Sequence, residues 1–233
     1  MTMKNLKYLL FLTILLGLVG FSWPFDFLFS TPNHAKFGTN TWVQRETEIL
    51  KSKTVINEKV LRLSLTAYAN TRKHGYVGKE ILTVIDYSKP SAEKRMWVFD
   101  VKRNRVLFHT WVSHGKNSGG AHATSFSNAP GSLKSSLGVF LTDETYDGKN
   151  GYSLRLRGLE RGTNDSAYSR AIVIHGASYA NVDSRTSLGR SWGCPAVSAR
   201  LAKPIINTIK QRSVVFAYYP DRKWLSRSPF LSA

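Results

Sequence analysis

A single cysteine and one well-placed histidine are the residues of this 233-residue chain whose types and surroundings can do chemistry. Cys194 lies between Gly193, which permits close approach of a substrate backbone, and Pro195, which stiffens the segment. His175 ends an apolar run. An imidazole beside a thiol lowers its pKa from about 8.5 and serves as a general base. The pair predicts acyl-transfer chemistry, with a structural histidine and a buried cysteine as the alternative that spacing leaves open.

Two long loops surround these residues. Ile172–Ile174 reads as a buried strand that holds His175 rigidly, and Gly176 lets the backbone turn away into a loop that reaches Cys194. A polar loop from Ser113 to Ser136 follows another strand, and loops of such length are uncommon unless they serve a site. The backbone N–H groups of Gly193 and Cys194 are the expected donors to a developing oxyanion.

The remaining pattern predicts a mainly β domain with a few helices, the α+β class. Asn57 is the expected cap of a helix that Gly75 ends, and residues 30–56 read as a juxtamembrane linker with one helical turn. Residues 57–220 form the expected catalytic domain and 221–233 a tail. The expected later elements are strands Ile81–Tyr87, Met96–Val101, Arg105–Val112, Leu137–Thr142, Tyr152–Arg157, Ala171–His175 and Ser213–Tyr219, and a helix from Ser198 to about Arg212.

The N-terminus and the net charge indicate where the chain acts. Lys4 and Lys7 precede an uncharged apolar run from Tyr8 to Trp23, so residues 1–29 read as a signal peptide or membrane anchor of an exported protein. The formal charge is +18, which favours nucleic acid, acidic lipid or an acidic cell wall. Basic residues are spread along the chain with no zinc-finger spacing, so nucleic acid is not expected.

Several blocks of sequence, in one order, resemble a known family. Residues 57–220 are similar to the YkuD-type L,D-transpeptidases, and more closely to the murein L,D-transpeptidase catalytic-domain subfamily. The family motif is a His-Gly, a loop and Ser-x-Gly-Cys. The similar blocks are His175-Gly176, Val112–Gly119, Ser136–Phe140, Gly151–Leu156 and Gly189–Val197, the last containing Ser191-Trp192-Gly193-Cys194.

The resemblance implies a β-sandwich-like domain with the histidine and cysteine at one edge, and no metal or organic cofactor. Cys194 would attack a peptidoglycan stem peptide, expel the terminal D-alanine and form a thioester. His175 would be the base, and an amine of a neighbouring stem would complete a cross-link. Water in place of the amine would give a carboxypeptidase, and a noncatalytic wall-binding module is the third hypothesis.

Two positions depart from the family pattern. Trp192 replaces the usual histidine between the serine and glycine of the motif, and Ala196 replaces the usual arginine or asparagine two residues after the cysteine. Arg190 is therefore a candidate to meet a stem carboxylate, and Trp192 a candidate apolar wall. The other candidate substrate-binding residues are Ser191, Gly176 and His114. For His114 a loop-stabilising role is the alternative.

Overall fold

The computed structural model describes residues 35–181 and 187–232. Four α-helices, two short 3-10 helices and eight strands occur within these residues. The signal or anchor expected for residues 1–29 lies outside them. In chain order the α-helices and strands are α1 (Asn40–Lys51), α2 (Glu58–Lys73), β1 (Ile81–Asp86), β2 (Met96–Asp100), β3 (Arg105–Thr110), β4 (Gly138–Gly148), β5 (Gly151–Gly158), β6 (Val173–Ala177), β7 (Ala196–Ser198), α3 (Ala199–Ile209), β8 (Val214–Tyr218) and α4 (Arg222–Leu225).

The eight strands form one mixed sheet in the order β3-β2-β1-β8-β4-β5-β6-β7. Strand β1 runs parallel to β8, and β6 runs parallel to β7, while the other neighbouring strands are antiparallel. Strands β2 and β8 are buried along their whole length, as expected for apolar strands covered on both faces. The predicted β-rich α+β class is confirmed. Strand β7 forms one edge of the sheet and begins two residues after Cys194.

Helix α2 forms where the sequence predicts it. The Asn57 side chain accepts a hydrogen bond from the Val60 amide at 3.3 Å, which satisfies one of the free donors of the first turn. One face of the helix is an apolar stripe that is buried in the core and consists of Val60, Leu61, Leu65 and Tyr68. The helix stops just before Gly75, whose φ of +73° lies in the left-handed region that glycine adopts readily.

The segment expected as a linker with one helical turn contains a helix of twelve residues, so that expectation is wrong. Thr39 caps α1 by accepting from the Trp42 amide at 3.2 Å. Trp42 stacks on Tyr68 of α2 with ring centroids 6.5 Å apart, and Leu50 is fully buried. Because this helix has few apolar residues, its stability comes from packing on α2 rather than from a strong sequence pattern.

The C-terminal segment also packs against the body rather than trailing from it as a tail. Trp224 of α4 is buried and donates its indole N–H to Glu160 at 2.8 Å, and Phe230 is buried in the same core. Helix α3 begins after Ser198 as expected, although the Ser198 side chain makes no capping bond. Pro204 is the sixth residue of α3, beyond the first turn. No helix within the described residues has the length and apolar character needed to cross a membrane.

Candidate active site

The edge formed by β6 and β7 brings the histidine and the cysteine together. His175 is paired with Ala196 in the parallel register, and Cys194 lies two residues before Ala196. Cys194 itself lies in the bend before β7, and its Sγ is 3.5 Å from the Val173 amide, two residues before His175 in β6. The thiol thus lies against the strand that carries His175.

His175 is held in one tautomer. Its ring is almost fully buried, and Nδ1 lies 2.9 Å from the carbonyl oxygen of Gly176. A carbonyl only accepts, so Nδ1 carries the proton and Nε2 keeps a lone pair that can take another. Burial lowers the pKa of His175 below its usual 6.5, against a smaller opposing effect of the Gly176 carbonyl. The imidazole is therefore neutral at pH 7, the form that a general base requires.

The thiol of Cys194 is neutral in the resting protein. Burial raises its pKa above the usual value, while the Val173 N–H and the charge of Arg170 oppose that rise. Sγ accepts from the Val173 amide at 3.5 Å and donates to the Ala171 carbonyl at 3.6 Å. His175 is not among its hydrogen-bond partners within the described residues. The expected lowering of the thiol pKa is wrong, because desolvation outweighs the groups that favour the anion.

The turn that presents Cys194 is fixed by Ser191. The Ser191 hydroxyl donates to the Cys194 carbonyl at 2.5 Å and accepts from the Gly193 amide at 3.1 Å. Ser191 is buried, so its hydroxyl holds the turn instead of facing a substrate. Of the two predicted oxyanion donors, the Gly193 amide is thus already engaged. In the part of the chain that the structure describes, the Cys194 amide donates to no acceptor.

The first long loop is joined to this turn by backbone hydrogen bonds. The Ser113 amide donates to the Ala196 carbonyl at 2.8 Å, and the Lys116 amide donates to the Ser191 carbonyl at 2.8 Å. Further along the same loop, the Ser135 hydroxyl donates to the Gly193 carbonyl at 3.0 Å. The first long loop therefore holds the turn of residues 191–196 that presents Cys194.

His114 is buried beneath the start of the first long loop. It is fully buried, and its Nδ1 accepts from the Arg95 guanidinium at 2.7 Å. Burial, with the nearby Arg95 charge, lowers its pKa to about 4. Arg95 also donates twice to the Val112 carbonyl, at 3.1 and 2.9 Å. This burial favours the loop-stabilising alternative for His114 over contact with a substrate.

The other candidate residues differ in exposure. Trp192 is 72% exposed, and the Lys116 ammonium lies 5.9 Å from its ring centroid, so this indole faces solvent beside Cys194. Arg190 is exposed and donates to the Gly119 carbonyl at 3.0 Å. Gly176 faces α3: a Cβ there would lie 2.9 Å from the Ala202 Cβ, so only glycine fits between strand and helix. Trp192 and Arg190 remain available to a ligand.

Arg170 is a residue near the cysteine that sequence reasoning missed. Its guanidinium acts electrostatically on Cys194. No motif marks it, because it approaches the turn only through the fold. Among the described residues, no cluster of three or more His, Cys, Asp or Glu side chains could hold a metal ion.

Comparisons with known proteins identify the family. Residues 52–218 match the family described as L,D-transpeptidase catalytic domain. Since this match covers well over half of the chain, the protein belongs to the L,D-transpeptidase catalytic-domain family. No curated protein matches the sequence.

Similar solved structures include an L,D-transpeptidase from Mycobacterium smegmatis, at 16% identity and a TM-score of 0.39 over 61% of this chain and 60% of that one. L,D-transpeptidase 3 from Mycobacterium tuberculosis has 14% identity and a TM-score of 0.40 over 61% and 62%. The helical cell shape determining protein Pgp2 from Campylobacter jejuni has 12% identity and a TM-score of 0.43 over 79% and 57%. This chain thus covers about three fifths of the length of each.

Proposed function

We propose that this protein is a peptidoglycan L,D-transpeptidase that forms a thioester between Cys194 and a donor stem peptide and transfers the acyl group to an amine. The observation that carries the proposal is the hydrogen bond from the Val173 amide to Sγ of Cys194 at 3.5 Å, which places the thiol against β6 two residues before His175. Membership of the family supplies the substrate class, peptide stems of peptidoglycan.

The first half of the reaction uses the neutral pair. Sγ attacks the stem carbonyl while its proton passes to Nε2 of His175, whose Nδ1 is held by the Gly176 carbonyl. The amide of Cys194 is the donor left for the oxyanion. When the tetrahedral intermediate collapses, the C–N bond breaks and His175 returns the proton to the departing D-alanine amine. The thioester remains on Cys194.

The second half repeats these steps with an acceptor. An amine of a neighbouring stem attacks the thioester, His175 takes a proton from that amine, and the C–S bond breaks as the proton returns to sulfur. Water in place of the amine gives an L,D-carboxypeptidase by the same route. Which of them reacts depends on the access of an acceptor to the acyl-enzyme, so the product distinguishes the two activities.

The rim of the site and the charge of the chain suit an acidic peptide polymer. Trp192 offers an exposed apolar face beside the cysteine, and Arg190 and Lys116 supply nearby positive charge. The net charge of +18 favours retention on an acidic wall. We further propose that the protein acts outside the cytoplasm, with residues 1–29 as its export signal or anchor, because its substrate is in the cell envelope.

The test is mass spectrometry of muropeptides after incubation of the full chain with tetrapeptide-rich peptidoglycan. We expect cross-linked products from the parent, none from Cys194→Ala, and at least about a hundredfold less from His175→Ala, since general bases contribute 10²–10⁴-fold. His74→Ala is the matched control, because His74 is exposed at the end of α2 and should retain parent activity.

Each outcome decides between the hypotheses. Trimmed tripeptides without cross-links would identify the carboxypeptidase. Binding to peptidoglycan without any change of its muropeptides would identify a wall-binding module. Processing by Cys194→Ala at the parent rate would refute the thioester route altogether.

A further inference from the structure

Arg170 carries a positive charge that nothing in its own hydrogen-bond network neutralises. The side chain is partly buried just before β6, and its guanidinium makes four hydrogen bonds. All four acceptors are neutral: the carbonyls of Ser127 and Lys134, at 2.7 and 2.8 Å, and the hydroxyls of Ser136 and Ser132, at 2.6 and 3.1 Å. Within the described residues it forms no ion pair with a carboxylate.

Withdrawing a guanidinium from water without an anion is unfavourable, and burial lowers the pKa of Arg170 accordingly. The four hydrogen bonds nevertheless hold the group in one position. A fixed, uncompensated cation of this kind stabilises an anion that forms transiently beside it.

The turn around Cys194 meets the Arg170 network at two points. Ala171, the next residue after Arg170, presents the carbonyl that accepts the Cys194 S–H at 3.6 Å. Ala171 has a φ of +54°, a left-handed conformation that is strained for alanine, so the backbone is held there by its surroundings. The Lys134 carbonyl, bonded to the guanidinium, lies 2.9 Å from where a Cβ of Gly193 would stand.

The other titratable groups around the sulfur are uncharged at neutral pH. Burial raises the pKa of Tyr87 to about 12 and also raises that of Tyr179, so both phenols keep their protons. His175 is neutral before the reaction because its pKa is lowered. Among the described residues, Arg170 is thus the group whose permanent charge acts on Cys194.

We propose that Arg170 is a positioning residue whose guanidinium stabilises the sulfur anion of Cys194 as the thiol proton leaves for His175. This inference rests on the proposed role of Cys194 as nucleophile. When the proton moves, the thiolate is attracted by the guanidinium charge in partly buried surroundings, which offsets part of the cost of burying each charge alone. The four hydrogen bonds of the Arg170 guanidinium also hold the loop of residues 125–136, which contacts Gly193 through Ser135.

The test is the rate of Cys194 alkylation by iodoacetamide as a function of pH, measured on the full chain. We expect Arg170→Gln to move the midpoint of the profile to higher pH and to slow alkylation at neutral pH about tenfold, the lower end of what a nearby opposite charge contributes. Arg170→Lys keeps the charge and should stay within about threefold of the parent, given its looser hydrogen bonding. Arg161→Gln, at an exposed arginine on the preceding loop, is the control and should match the parent.

Steady-state kinetics distinguish an effect of Arg170 on the Cys194 thiol from an effect on substrate binding. With peptidoglycan tetrapeptide as donor, Arg170→Gln should lower kcat about tenfold and leave KM unchanged, because the stabilised anion forms only during reaction. An increase of KM with an unaltered alkylation profile would mean that Arg170 binds a substrate carboxylate, and would overturn the proposal. A folded Arg170→Gln protein with the parent profile would overturn it as well.

The variant Ser132→Ala tests whether Arg170 acts through the geometry of the loop instead of through its charge. Ser132→Ala removes one hydrogen bond to the guanidinium but leaves its charge, so we expect the parent profile. A tenfold slower alkylation in this variant would show that loop geometry controls the thiol, and this result decides the matter even if Arg170→Gln does not fold. The alkylation assay needs no turnover, so its outcome is independent of whether Cys194→Ala abolishes cross-linking.

Discussion

Gly193→Ala is the substitution whose effect can be worked out most directly from the structure. Gly193 has a φ of +126°, and a Cβ there would lie 2.9 Å from the Lys134 carbonyl and 3.2 Å from Cδ1 of Ile172. The carbonyl is a backbone atom that accepts from Arg170 at 2.8 Å, so it cannot withdraw without weakening that bond. The added methyl group therefore meets both backbone strain and a close contact.

The magnitude follows from these two effects. A residue other than glycine in such a conformation costs about 1–3 kcal/mol, and overpacking costs about 1–3 kcal/mol more. Gly162 offers a matched control, since its φ is +74° but no heavy atom lies within 4 Å of the added Cβ. Gly162→Ala should cost only about 1–2 kcal/mol. We expect the two variants to differ by about 2 kcal/mol in free energy of unfolding.

Thermal denaturation followed by circular dichroism measures this difference. For a body of this size, 1 kcal/mol shifts Tm by about 2–4 °C, so Gly193→Ala should melt about 4–8 °C below Gly162→Ala. Gly193→Ala should also lose cross-linking at temperatures where it is folded, because the methyl group displaces the turn that carries Cys194. Equal melting temperatures for the two variants would refute the close approach of Gly193 to the loop of residues 125–136.

Two further predictions concern charge. His114 is neutral in the folded state, with its pKa lowered to about 4 from 6.5, whereas the unfolded chain takes up a proton below 6.5. Stability is therefore lost as pH falls from 6.5 towards 4, by about 3 kcal/mol from this residue. Guanidinium chloride unfolding at both ends of that range should show a smaller loss for His114→Asn, and an equal loss would contradict the assignment. Separately, co-sedimentation with peptidoglycan should weaken when salt is raised from about 0.02 to 0.5 M, because screening shortens the reach of the basic charge; unchanged binding would exclude an electrostatic origin.

Short-range sequence patterns predict much of the fold. The Asn57 cap, the apolar stripe of α2 and the stop at Gly75 are short-range signals, so that helix could be predicted from sequence. Apolar, β-branched runs likewise predicted several strands, and alternation of apolar and polar residues marked the strand Tyr152–Arg157. Helix α1 was missed because its few apolar residues are stabilised by Tyr68 and other groups of α2, which no local pattern reveals. Strand β7 was missed because three residues carry too little periodicity.

The sequence by itself determined the reactive types: one thiol between glycine and proline, and one imidazole that ends an apolar run. Those features depend on covalent neighbours alone. The expectation that the strand stops at His175 and the chain turns away at Gly176 is wrong, because β6 continues to Ala177. Tertiary structure decided the rest, because electrostatics and burial depend on residues distant in sequence. The fold places the Cys194 thiol against β6 two residues before His175, burial raises the thiol pKa instead of lowering it, and His114 is buried against Arg95. Arg170 reaches the site only once residues 125–136 fold around its guanidinium.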